Sequence, residues 1–197
     1  YRKNRHTSVW PWSDLVSKFT VLRKKNFKKK VKLLELRCGA GANIRFFLEN
    51  KIDYYGIDYS NNIIKKLRKK FKKLNKKLIV GDFKNNYFKN KKFDFIVDRA
   101  AITHNKHEDI NKIVDGIYEN LLPNGYFLGV DWYSVKYLGR KNIDLRKSYK
   151  FKKGMFANIG TVTFFNKKKI QSIFKKFHIL ELEEKIVYNR YKNKIKM

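Results

Sequence analysis

Short apolar runs alternate with longer amphipathic stretches along most of the chain. The runs at residues 31–36, 54–57, 78–80, 93–97 and 126–130 are too short for helices and are bounded by Gly, Asp or Asn, so they read as buried strands. Between them the period changes. In residues 61–74 the apolar positions Ile63, Ile64, Leu67, Phe71 and Leu74 recur at helical spacing, with Lys and Arg on the remaining face. Residues 42–49 and 108–122 also read as helices, the second stopped by Pro123-Asn124-Gly125. A further strand is drawn near residues 178–183 and a weaker one at 186–191, which brings the count to six or seven. Strand and helix in regular alternation imply a mostly parallel sheet with helices on both faces.

Two segments fall outside that rhythm. Residues 1–30 form an N-terminal extension with a helix over 13–24, where Ser13 can cap and Leu15, Val16, Phe19 and Leu22 make the apolar face. Residues 132–160 are long for a connection and rich in Tyr, Lys and Gly, as expected of a lid or an acceptor-binding insertion. A helix over 167–177 follows. No repeat or linker divides the 197 residues, so one domain is expected.

Composition narrows the class. The single cysteine, Cys38, excludes an internal disulfide framework and a cysteine-based zinc site. No apolar run is long enough to cross a bilayer, and no signal-peptide layout opens the chain, so the cytoplasm is the expected compartment. The formal net charge is +31, from 48 Lys and Arg against 17 Asp and Glu. Such a charge raises RNA or another polyanion as a partner. The lysines, however, cover the solvated faces of helices without forming a stripe. They accompany a general excess of Lys, Asn, Ile, Tyr and Phe, the mixture an AT-rich genome encodes. RNA therefore stays as an alternative partner and not the favoured one.

Three strand ends carry the chemistry. The first reads Glu35-Leu36-Arg37-Cys38-Gly39-Ala40-Gly41-Ala42-Asn43. Glycines at 39 and 41 let a ligand approach backbone. The third glycine of a dinucleotide loop is missing, and Glu35 would repel a pyrophosphate but suits a cationic ligand such as S-adenosylmethionine. At the second, Asp58, with Tyr59 beside it, is placed to accept from both hydroxyls of a ribose, unless Asp58 or Ser60 merely caps the next helix. At the third, Asp82 could accept from an adenine amino group with Phe83 flanking the ring, or serve as a turn residue.

These segments, with Phe93-Asp94-Phe95-Ile96-Val97-Asp98 and Leu121-Leu122-Pro123-Asn124-Gly125-Tyr126, resemble the successive motifs of class I S-adenosylmethionine-dependent methyltransferases. The resemblance covers residues 31–131. It implies an α/β, Rossmann-like three-layer sandwich whose seventh strand is antiparallel. It implies a cofactor set of Glu35, Gly39, Ala40, Gly41, Asp58, Tyr59, Asp82, Phe83 and Asp98. Arg37 departs from the family pattern, which has a small or acidic residue there. Asp98-Arg99-Ala100-Ala101 is similar to the matching segment of thiopurine-methyltransferase-like enzymes, which points to a small-molecule acceptor, such as a sugar or a glycan precursor. The Asn/Asp-Pro-Pro-Tyr signature of many amino-group nucleic-acid methyltransferases is absent.

On the acceptor side, His104 and Asp131 are the candidate catalytic residues, His104 as a neutral base and Asp131 as an orienting acid. Trp10, Trp12, Arg99 and Trp132 are candidate acceptor-binding residues, with one of the first two tryptophans expected to pack and the other to line the site. In-line displacement at a sulfonium methyl needs no metal. His104 and His107 lack an evident third ligand, so none is expected. An RNA methyltransferase and a non-catalytic nucleotide-binding module remain the alternatives.

Overall fold

The computed structural model describes residues 8, 10–26, 30–85, 88, 90–138, 143–154 and 156–185. Its elements are α1 (Ser13–Asn26), β1 (Lys32–Leu36), α2 (Ile44–Glu49), β2 (Asp53–Asp58), α3 (Asn61–Lys70), β3 (Leu78–Val80), β4 (Phe93–Arg99), α4 (His107–Asn120), β5 (Leu121–Val130), β6 (Tyr149–Lys150), β7 (Thr161–Val162) and α5 (Lys167–Ile173). The first five strands form one parallel sheet in the order β3-β2-β1-β4-β5. The chain runs outward one way through β1, β2 and β3 and the other way through β4 and β5. That reversal opens a crevice beyond the carboxyl ends of β1 and β4, where open α/β sheets bind ligands.

The strand side chains alternate between two cores. Leu33, Tyr54, Phe95 and Val97 meet Leu15 and Phe19 of α1, Phe47 of α2 and Ile64 and Leu67 of α3. Leu34, Leu36, Ile57 and Ile96 meet Ile110, Ile113 and Ile117 of α4 and Phe174 beyond α5. This is the three-layer α/β sandwich expected from the alternation.

The strand count is five in this sheet, not six or seven, among the described residues. Residues 178–183 are not a strand. A strand needs an edge to pair with, and among the described residues β5 pairs only with β4. Residues 178–185 instead lie exposed and are held by ion pairs: Glu181 and Glu183 with Lys18, Lys185 with Asp14, and Glu184 with Lys136. Residues 186–191 lie outside the described residues. The helix expected to reach Leu122 stops at Asn120, because Leu121 pairs with Phe93 and begins β5. The Pro123-Asn124-Gly125 turn is absorbed as an irregularity in that strand, with Asn124 at φ +61°.

The insertion at 132–160 is more than a loop. Phe156 together with Val162 and Phe164 forms a small third core, packed by Tyr133, Val135, Tyr149 and Phe151. The antiparallel pair β6–β7 crosses it. It docks on the turn after β4: Thr163 N–H donates to the Thr103 carbonyl at 2.8 Å, and the Thr103 hydroxyl donates to the Thr163 carbonyl at 2.7 Å. A long sequence excursion is thereby fixed against the carboxyl edge of the sheet.

Candidate active site

β1 delivers its chain into a tight loop. Past Leu36 the backbone turns left-handed at Arg37 (φ +51°), Gly39 (φ +51°) and Gly41 (φ +78°). Gly41 is needed twice over. A Cβ there would lie 2.7 Å from Leu67 Cδ2 and 2.8 Å from Ile44 Cδ1, so the loop could not pack on α3. The loop is tied to β2 by Cys38 N–H, which donates to the Ile57 carbonyl at 3.0 Å, and by Gly39 N–H, which donates to Asp58 Oδ2 at 3.0 Å.

Asp58 is buried and also accepts from Ser60 N–H at 2.9 Å through Oδ1. The cap of α3 is Ser60, whose hydroxyl accepts from Ile63 N–H. Asp58 thus clamps the glycine loop to the end of β2, and each oxygen keeps a second lone pair. At the end of β3, Asp82 accepts from Lys84 N–H at 3.1 Å and pairs with the Lys84 ammonium at 3.4 Å. Its carboxylate is partly open to solvent and Phe83 lies next to it. Tyr59 is 61% exposed, with the Arg37 guanidinium 5.5 Å above its ring.

Glu35 does not face the crevice openly, as had been expected of it. It is buried, with Oε1 accepting from Asn43 Nδ2 and Oε2 from the Tyr54 hydroxyl, each at 2.6 Å. Burial pushes its pKa up to about 7 against those two bonds, and the charges of Asp98 and Asp58 push the same way. Asn43 Oδ1 in turn accepts from Trp12 N–H at 3.1 Å. Glu35 therefore acts on the site through Asn43, which anchors the N-terminal segment over the loop. Burial also pushes the Cys38 thiol well up, so it is no nucleophile near neutral pH.

Asp98 and Trp132 depart from their expected places. Asp98 is fully buried and accepts from Trp132 Nε1–H at 2.5 Å, Ala101 N–H at 2.9 Å and Ile102 N–H at 3.4 Å. Burial lifts its pKa to about 6 in spite of those bonds. The Trp132 ring lies among Phe127, Phe165 and Phe174. The pair is a strut beneath the site that sets the turn after β4, not a surface for cofactor or acceptor.

Arg99 and Asp131 pair at 2.8 Å, and the Arg99 guanidinium stacks on the ring of Trp12 at 3.3 Å. Trp12, 37% exposed, lies against Arg99, and Trp10 is 76% exposed, so neither is packed in the core. Three non-glycine residues just beyond the ends of β1, β4 and β5, namely Arg37, Ala100 and Asp131, have φ of +51°, +54° and +61°. Strained backbone concentrated at one sheet edge is a common companion of a functional site.

His104 ends the turn after β4. Its Nδ1 lies 3.2 Å from the Thr161 carbonyl, and its ring meets Tyr133 edge-on at 5.6 Å. Burial lowers its pKa, and the Arg37 charge lowers it further, so the ring is neutral at pH 7. A neutral ring that donates from Nδ1 to a carbonyl carries its lone pair on Nε2, the form a proton acceptor needs. Sequence reasoning did not assign roles to Asn43, Tyr54, Tyr133 or Thr161. Only Asn43 carried a signal, as a helix-capping residue type directly after the glycine loop. No group of three or more His, Cys, Asp or Glu placed to hold a metal occurs among the described residues. A cavity of about 430 Å³ lies between α4 and the sheet, lined by Leu34, Ile57, Phe88, Ile113 and Ile117. It reaches Phe83 and Lys84 beside Asp82 but includes none of the glycine loop, Asp58 or His104, so the chemistry locates the site better than the void does.

A family model described as a methyltransferase domain matches residues 33–125. No curated protein matches the sequence. Among solved structures, the PH0226 protein of Pyrococcus horikoshii OT3 superposes with a TM-score of 0.65 at 22% identity, over 95% of this chain and 92% of that one. TehB from Haemophilus influenzae gives 0.66 at 20% identity, over 93% of this chain and 56% of its own. CalS10 from Micromonospora echinaspora, an amino pentose methyltransferase with S-adenosylmethionine bound, gives 0.65 at 16% identity, over 89% and 85%. At these identities the structural likeness speaks to the fold, while the domain match spans the glycine loop and the strand ends that carry Asp58, Asp82 and Asp98. The methyltransferase domain match over residues 33–125 and the shared fold together support a class I S-adenosylmethionine-dependent methyltransferase.

Proposed function

We propose that the protein methylates a small-molecule acceptor, a sugar or glycan precursor being the favoured class. The observation that carries this reading is the gathering of the glycine loop, Asp58, Asp82 and a neutral His104 at one edge of the sheet.

The residues fit the cofactor. Gly39, Ala40 and Gly41 offer bare backbone, Asp58 offers lone pairs to ribose hydroxyls, and Asp82 with Phe83 offers an acceptor and a ring to adenine. Glu35, through Asn43, sets the end of the loop where the methionine part belongs. S-adenosylmethionine supplies a methyl group on a positively charged sulfur, which is already a good leaving group. The chain's task is to hold the acceptor in line and to take its proton when it must leave early. His104 Nε2 is the candidate for that proton. Asp131, held by Arg99, and the Trp12 ring above Arg99 form the wall on the β5 side. Tyr133 of the docked insertion and Thr161 at the start of β7 fix the His104 ring.

The charge argues less for RNA than its size suggests. Nine Lys and Arg fall within residues 65–77 without an acid among them. That stretch starts beyond the first turn of α3 and runs away from Asp58, and Lys77 pairs with Asp53 at the far end of β2. The basic run therefore does not converge on the site.

Calorimetry with S-adenosylmethionine and NADH side by side, followed by an acceptor screen that detects S-adenosylhomocysteine, tests the reading. Binding of the first alone and turnover with a small hydroxyl or amine acceptor is the expected result. Methylation of bulk RNA with salt-dependent retention would move the acceptor to RNA. Cofactor binding without turnover on any acceptor would favour a non-catalytic module.

A further inference from the structure

Two arginines stand at neighbouring strand ends, Arg37 just past β1 and Arg99 as the last residue of β4. β1 and β4 pair with Leu36 opposite Asp98, so Arg37 and Arg99 hold the next positions of neighbouring strands. Their surroundings differ. Arg99 is matched by Asp131 and lies on Trp12. Arg37 has no carboxylate within ion-pairing distance among the described residues, and its guanidinium rests only against the exposed ring of Tyr59. The buried Asp98 feels its charge, but Asp98 is already held by Trp132 and two backbone N–H groups.

The backbone sharpens the point. Arg37 adopts φ +51°, a conformation that strains a residue with a side chain and suits glycine. Glycine already occupies two of the next four positions, so the loop tolerates it. A guanidinium is thus kept at the mouth of the site against the local backbone preference. A bound S-adenosylmethionine would bring a second positive charge, its sulfonium, into the same crevice, and two cations there repel unless an anion joins them.

We propose that Arg37 binds an anionic group of the methyl acceptor, a carboxylate or a phosphate, and so determines which acceptors the enzyme takes. The inference rests on the methyltransferase reading above. The planar guanidinium suits either oxyanion through paired N–H donors. An anion seated there would also lie in the field that reaches His104. Arg37 alone makes protonation of His104 harder, and a bound anion reverses that effect.

The test uses the full chain and follows the His104 ring signal by NMR, assigned from the spectrum of His104→Gln. Sodium phosphate and sodium acetate are titrated separately at fixed ionic strength, with S-adenosylhomocysteine saturating. In the wild type at least one probe should shift the signal saturably, and the better probe tells phosphate from carboxylate. In Arg37→Gly the midpoint should weaken by about tenfold or more, with Arg37→Lys between, as loss of a charge-assisted contact implies. The affinity for S-adenosylhomocysteine, measured alongside, should change by less than about threefold in both variants, since a cofactor contact would be worth more than that. An unchanged midpoint in Arg37→Gly overturns the proposal, as does a wild type that neither probe shifts. A large loss of S-adenosylhomocysteine affinity in Arg37→Gly overturns it too, by assigning Arg37 to the cofactor's own carboxylate. Failure of the wild type to bind S-adenosylhomocysteine would instead sink the methyltransferase reading.

Discussion

Replacing Glu35 with Gln tests the buried relay beneath the glycine loop. Glu35 is 5% exposed, and the folded chain keeps its proton up to about pH 7, against an ordinary value of 4.5. Between those values the folded state holds a proton that the unfolded state has released. Stability must then fall as pH rises across this window. Below the ordinary carboxylate range Glu35 contributes no pH dependence, and above about pH 7 its full penalty is present. The gap between 4.5 and about 7 corresponds to about 3 kcal/mol. Glutamine keeps the shape and an acceptor for Asn43 or Tyr54 but cannot ionise. The assay is urea unfolding of both proteins at pH 5 and pH 8.5, with the variant compared to wild type at each pH so that other titrating groups largely cancel. Wild type should lose about 2.5 kcal/mol relative to Glu35→Gln on going from the lower pH to the higher, the rest of the penalty being already present at pH 5. A difference that stays constant within about 0.5 kcal/mol would refute the claim that Glu35 sits desolvated on Asn43 and Tyr54, since a solvated carboxylate gives no such swing.

Other perturbations probe separate parts of the site. Trp132→Phe removes the indole donor from buried Asp98 and should cost about 1–3 kcal/mol in urea unfolding; no loss would remove the strut. Gly41→Ala puts a Cβ 2.7 Å from Leu67 and demands φ +78° of alanine, so a loss of about 1–3 kcal/mol is expected by the same assay. His104→Gln should abolish most turnover on an identified acceptor while leaving S-adenosylmethionine affinity unchanged by calorimetry. Because burial and Arg37 lower the His104 pKa, the acid limb of the wild-type rate profile should lie below the ordinary histidine range. A limb at or above pH 6.5 would contradict that assignment.

The parts of this molecule that follow local rules were readable from residues alone. Ile110, Ile113, Val114 and Ile117 announce α4 by spacing, and all four are buried as the spacing requires. The glycine loop and the acids Asp58 and Asp82 stand at the strand ends where alternation placed them. What escaped depends on partners far along the chain. Pro123-Asn124-Gly125 is a helix stop by local chemistry, yet Leu121 pairs with Phe93 and the turn lies inside a strand. Residues 178–183 alternate like a strand but meet no edge among the described residues. The seal over Asp98 comes from Trp132, 34 positions away. Glu35 was read as facing a ligand because its residue type and place suggested it. The hydroxyl of Tyr54, which turns it inward, sits 19 positions on, and no spacing rule joins the two. The insertion's aromatic core likewise emerges only when Tyr133, Phe156 and Phe164 are brought together.

The central claim is that the loop after β1 and the acid at the end of β2 form a cofactor site. Calorimetry of S-adenosylmethionine with wild type and Asp58→Ala tests it most directly. One site per chain in the wild type, weakened by about tenfold or more in the variant, is the result expected when hydrogen bonds to a charged acceptor are lost. Equal affinity in the two proteins, or no binding by wild type, would contradict it.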